Sequence, residues 1–133
     1  MYIELVKYPD VFLRSVSNNV PFPLDDKTCR LIKWMARAMY QNHGIGLAAI
    51  QVGYQLRMFV MDCSRSQEEY KVFINPEIVE KSDETLRDTE GCLSAPGKQG
   101  DVKRHIRIIL KYQDQDGKEQ RKTFYNLEAR CIQ

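Results

Sequence analysis

Two short segments hold the residue types that could do chemistry. The first, Gly44-Ile45-Gly46-Leu47-Ala48-Ala49-Ile50-Gln51, sets two glycines one residue apart and ends on a side-chain amide. Glycines without a Cβ let a ligand or another backbone come close. The wording also matches the dinucleotide variant Gly-x-Gly-x-x-Ala, but that motif needs a strand before it and a helix after it, so that phosphates meet a helix N-terminus. Here a helical pattern comes first, which removes the phosphate reading. Two readings stay open: a tight turn into a buried strand, or backbone presented to a ligand with the Gln51 amide nearby. The second segment is Glu90-Gly91-Cys92-Leu93-Ser94-Ala95-Pro96-Gly97. A cysteine beside glycine on a turn is either a buried inert thiol or an accessible thiolate, and accessible thiolates are nucleophiles or metal ligands.

A nucleophilic cysteine wants a histidine base, and the chain has only His43 and His105. His43 follows a helical pattern, where a cationic ring suits the C-terminal end of the dipole. His105 lies in the basic strand approach Lys103-Arg104-His105 and reads as an ordinary solvated residue. The other cysteines, Cys29, Cys63 and Cys131, are widely spaced, with no Cys-x-x-Cys pair for zinc or thioredoxin chemistry. Scattered free cysteines point to a reducing, cytoplasmic compartment, with at most one of the four carrying chemistry.

The elements that must position these residues follow from periodicity. Proline at 9, 21 and 23 and the pair Asn18-Asn19 make the first twenty-odd residues irregular. Asp25 and Asp26 then open a helix through Asn42, with Leu31, Ile32, Trp34, Met35, Ala38 and Met39 at helical spacing and Gly44 as its stop. Strand patterns follow over 57–61, 71–76, 107–112 and 120–125, the last two joined by the hairpin loop Asp114-Gln115-Asp116-Gly117. Asn126 reads as the cap of a second helix running to Gln133, with Glu128 in its first turn and no closing cap, hence frayed and mobile. One helix followed by short strands argues an α+β fold, with antiparallel strands around a long helix in the N-terminal half and the start of a second helix at the C-terminus.

The 133 residues amount to a single domain spanning 1–133. Basic residues number 20 against 18 acidic, a net charge of +2 that gives no nucleic-acid signature. Apolar runs are too short to span a membrane, and Met1 to Lys7 lacks the basic and apolar regions of a signal peptide.

Together the two segments resemble the peptide deformylase family, the metal hydrolases that remove the formyl group from nascent polypeptides. Gly44 to Gln51 match the family's Gly-φ-Gly-φ-Ala-Ala-x-Gln, and Glu90 to Ser94 match Glu-Gly-Cys-Leu-Ser. The spacing of the two motifs, Asn75-Pro76, and Leu127-x-Ala129-x-Cys131-Ile132-Gln133 are also similar to the family. The resemblance implies that Cys92 is a thiolate ligand of a divalent metal, iron(II) with zinc or nickel as substitutes. It implies that the Gln51 amide and the Leu93 N–H hold the oxyanion, with Gly44, Ile45, Gly46 and Gly91 along the substrate. Ile45, Glu90, Leu127 and Cys131 match positions around the methionine side chain. The implied partners are N-formyl-methionyl peptides on nascent chains near the ribosome, cleaved to formate and a free amine. The family's His-Glu-x-x-His would follow Gln133, and neither His43 nor His105 stands in its place. These 133 residues alone are therefore expected to bind metal weakly and to be inactive, the alternative being a catalytically dead homologue that binds N-terminal peptides. The family's arginine after the cysteine motif is not evident here, and Gln99 stands near that place.

Overall fold

The computed structural model describes residues 4–133; the start of the segment read for a leader, residues 1–3, lies outside them. Helix α1 (Asp26–Gln41) begins where expected, because Asp25 Oδ1 accepts the Thr28 N–H at 2.7 Å and Asp26 sits in the first turn. Its buried stripe is Leu31, Ile32, Met35, Ala36, Ala38 and Met39. The helix does not end on glycine. His43 takes the left-handed conformation (φ 58°), with its N–H on the Tyr40 carbonyl and the Gly44 N–H on the Met39 carbonyl at 2.9 Å. That is the Schellman pattern with histidine at the position glycine usually holds.

The strands are β1 (Gly46–Ala48), β2 (Met58–Met61), β3 (Lys71–Lys81), β4 (Thr85–Cys92), β5 (Ala95–His105), β6 (Arg107–Gln113) and β7 (Glu119–Tyr125). Five form one antiparallel sheet in the order β1-β2-β3-β6-β7, while β4 and β5 pair only with each other. With α1 and α2 (Asn126–Ile132) the fold is α+β. The four strand patterns read from sequence are present, and β3 runs five residues further than read, with bulges after Ile74 and Ile78. The β6–β7 loop is held by Asp114 Oδ1, which accepts the Asp116 and Lys118 N–H groups, with Gly117 at φ 84°.

Two apolar layers fix the sheet. One packs Leu31, Ile32, Met35 and Met39 of α1 with Leu47, Met58, Val60 and Ile74. The other gathers Met61, Phe73, Ile108, Leu110, Tyr112, Phe124 and Ala129, with the Phe73 ring 4.8 Å from Phe59 and 4.7 Å from Tyr112.

Helix α2 departs from expectation at both ends. Asn126 is not a side-chain cap: its backbone is left-handed (φ 53°), and its N–H donates to the Ile106 carbonyl. At its C-terminal end the Ala129 carbonyl gains a side-chain donor besides its helical one. The Gln133 N–H and Nε2 both donate to the Ala129 carbonyl. The same amide bridges the backbone of His105, accepting its N–H at 3.0 Å and donating to its carbonyl at 2.7 Å. No helix among the described residues is long and apolar enough to cross a membrane.

Candidate active site

Gln51 closes a 3-10 turn (Ala49–Val52) that leaves β1. Its Oε1 accepts the Ala48 N–H at 2.9 Å, which fixes the amide plane and aims Nε2 outward. That nitrogen lies 3.1 Å from Ser94 Oγ and 3.5 Å from Cys92 Sγ, across 41 residues of sequence. Cys92 is the last residue of β4; the ladder slips between Gly91 and Cys92, so Cys92 faces Ala95 and Leu93-Ser94 make the turn. Ser94 is buried, and its carbonyl accepts the Tyr8 N–H at 2.6 Å. Cys92 itself is an exposed free thiol.

The two glycines of the first segment have distinct steric jobs. A Cβ on Gly44 would lie 2.6 Å from Leu93 Cδ1, and one on Gly46 would lie 2.6 Å from Cys131 Sγ. Real Cβ contacts are essentially never under 3.0 Å, so glycine is what lets the cysteine turn and α2 close on β1. Cys131 Sγ also lies 3.7 Å from the Ile45 carbonyl, which accepts the Asp62 N–H. Its hydrogen bond with Cys63, and then burial, push the Cys131 thiol up, so it packs as a neutral group.

Glu90 stands two residues before Cys92, held by Arg104 Nε at 3.0 Å and Nη2 at 2.8 Å and by Arg130 Nη1 at 2.7 Å. The Arg104 hydrogen bond foremost, with that of Arg130, holds its carboxyl below the usual range despite partial burial. Behind β1, buried Asp62 accepts from Tyr40, Ser64 and the Glu69 N–H. Burial alone would raise this carboxyl; the hydrogen bonds from Ser64, Tyr40 and Glu69 outweigh it and bring it down to about 2. Burial, then the bond to Asp62, push Tyr40 up to about 12.

The structure thus brings Gln51, Cys92, Leu93, Gly44, Ile45, Gly46 and Cys131 into one neighbourhood. Leu127 is half-exposed and lines a neighbouring groove of about 410 Å³ with Asp62, Cys63, Ser64 and Glu128. The histidines lie elsewhere. His43 is exposed after α1, and the His105 ring Nδ1 is 2.6 Å from the Ser82 carbonyl at the base of the hairpin. Gln99 is exposed on β5 opposite Gly91. Among the described residues no three His, Cys, Asp or Glu side chains gather as a metal site would require. These residues fit one corner of such a site, a single accessible cysteine sulfur beside a fixed amide. Sequence reading missed Arg104, Arg130, Ser94 and Asp62; only Ser94 lay inside a motif that could have pointed to it.

The α+β fold seats an accessible thiol at the end of a hairpin, against an immobilised amide and a glycine-opened strand. The family described as polypeptide deformylase matches residues 2–133, and the chain belongs to that family. It is 45% identical over 131 residues to the peptide deformylase of Chromobacterium violaceum, covering 98% of this chain and 77% of that protein. The crystal structure of peptide deformylase from Thermotoga maritima superposes with a TM-score of 0.93 at 34% identity, covering 99% of this chain and 87% of that one. A peptide deformylase from Synechococcus elongatus, solved in complex with actinonin, gives 0.91 at 36% identity, covering 98% of this chain and 69% of that one.

Proposed function

We propose that residues 1–133 belong to a peptide deformylase domain whose site, when completed by His-Glu-x-x-His, acts on N-formyl-methionyl peptides of nascent chains in the cytoplasm and releases formate, these residues alone being inactive. The observation that carries the reading is the Gln51 Nε2 placed 3.5 Å from the Cys92 sulfur, inside two motifs of the family. Cys92 would hold a divalent cation, iron(II) with zinc or nickel as substitutes. When bound, such a cation supplies an activated water at neutral pH and polarises a carbonyl.

The chain's own residues do the rest. The Gln51 amide, pinned through Ala48, and the Leu93 N–H donate to the carbonyl oxygen as it gains charge. Because Gln51 is locked before substrate arrives, no reorganisation is needed at that moment. Strand β1 is an edge of the five-stranded sheet, so Gly46 offers backbone to an extended peptide, the strand-addition mode of peptide binding, with Ile45, whose carbonyl accepts the Asp62 N–H, beside it. Ile45, Glu90, Leu127 and Cys131 flank the methionine side chain. Glu90, with both oxygens on arginines, cannot serve as a free base there.

The absence, among the described residues, of further His, Cys, Asp or Glu side chains gathered around Cys92 favours a second reading, a homologue that binds N-terminal peptides without cleaving them. Formate release from a formyl-Met tripeptide separates the two, measured with cobalt(II) for these 133 residues and for a chain continuing past Gln133 with His-Glu-x-x-His. Hydrolysis by the longer chain and negligible turnover by the shorter are expected. Peptide or actinonin binding without hydrolysis by the longer chain would give the second reading its place.

A further inference from the structure

The hairpin that carries Cys92 and Leu93 is its own two-stranded sheet, with no ladder to the five-stranded one. Its turn is held by Gln51 and Tyr8, and its base by Gln133 on His105. Between them stands Arg130 of α2. Its Nη1 donates to Glu90 Oε2 at 2.7 Å and to the Val102 carbonyl at 2.9 Å, while Nη2 donates to the Leu86 carbonyl. One guanidinium therefore grips β4, β5 and a carboxylate two residues ahead of Cys92. The side chain is only 11% exposed, and Arg104 grips Glu90 from the other side. A rigid planar fork can serve three acceptors at once, where an ammonium acts as a point charge.

We propose that Arg130 is a positioning residue: through Glu90 and the two strand carbonyls it sets where the Cys92–Leu93 turn stands against Gln51. This rests on the deformylase reading of those three residues and extends it to a side chain that touches none of them. The neighbouring Cys131 seats the same helix on Gly46. Consecutive residues of α2 thus hold the hairpin on one side of the site and β1 on the other.

Amide hydrogen exchange and the NMR signals of the Gln51 side-chain amide test this in the 133-residue chain without metal. Arg130→Met is expected to accelerate exchange across residues 91–95 by about tenfold or more while Val60 and Phe73, deep in the large sheet, change little. The Gln51 amide signals should move away from their wild-type positions, and Arg130→Lys should recover part of both effects. Should the Met variant fail to fold, the Lys variant carries the test. Unchanged exchange at 91–95 with unmoved Gln51 signals would overturn the role. So would equal acceleration in β2 and β3, because that marks a general loss of stability. Deformylation does not enter this measurement. A chain whose longer form fails to release formate refutes the functional reading and leaves the Arg130 result to stand or fall separately.

Discussion

Replacing Gly46 by alanine puts a methyl carbon 2.6 Å from Cys131 Sγ and 3.8 Å from the Val60 carbonyl oxygen. Comfortable contact begins near 3.5 Å, so the sulfur has to retreat by about 1 Å. It has little room to do so, since it contacts the Ile45 carbonyl and packs on the cluster around Phe73 and Ala129. Overpacking of this kind costs about 1–3 kcal/mol, and at about 4 °C per kcal/mol that lowers Tm by about 4–12 °C. Cys131→Ala alone removes buried atoms at a cost of about 1 kcal/mol. In the Gly46→Ala background the same change also removes the clash, so the double variant should be more stable than the sum of the singles by about 1–2 kcal/mol. Urea denaturation of the four proteins measures the cycle. A Gly46→Ala cost below about 0.5 kcal/mol, or strict additivity, would refute the claim that this glycine exists to admit α2.

Gln51→Leu should lower formate release by about 10²–10³ in a metal-loaded chain carrying His-Glu-x-x-His after Gln133, with KM for the formyl peptide changing far less. Equal loss in both would point to simple substrate binding. Asp62 is depressed from 3.8 to about 2, so its stabilisation is complete above the unfolded value and disappears as pH falls through the folded one. Thermal unfolding should therefore steepen in its pH dependence between about pH 4 and 2, and Asp62→Asn should flatten that slope while lowering stability at neutral pH. An unchanged slope in the variant would show that other carboxylates govern acid unfolding.

Strong periodicity made α1 and the central strands legible. Leu31, Met35 and Met39 repeat at helical spacing, and Ile108, Leu110 and Tyr112 alternate with half-buried neighbours on β6. Strands β4 and β5 left no such trace because most of their residues are exposed, so no apolar alternation marks Thr85–Cys92 or Ala95–His105. The short β1 is the strand that one of the two readings of the glycine segment allowed, a tight turn entering a buried strand. At the site, the meeting of Gln51 with Cys92 was readable through the family's motifs. The arginine pair on Glu90 was not, because charged residues on a helix and a strand usually mark solvated faces, and only the fold shows them converging. His43 misled for a related reason: glycine is the common left-handed residue after a helix, yet the chain places histidine there and keeps Gly44 for Leu93.

The 3.7 Å contact between Cys131 Sγ and the Ile45 carbonyl spans 86 residues, and this separation has a kinetic consequence. Contacts of such reach form only after the loop between them has lost its freedom, which slows folding and places them late. During refolding the Cys131 thiol should therefore stay open to alkylation after α1 and the β6–β7 hairpin, both built from local contacts, have formed. Its protection then times the arrival of α2 against β1. A nascent copy of this protein would keep the Gly46 side of the candidate site open until α2 had emerged.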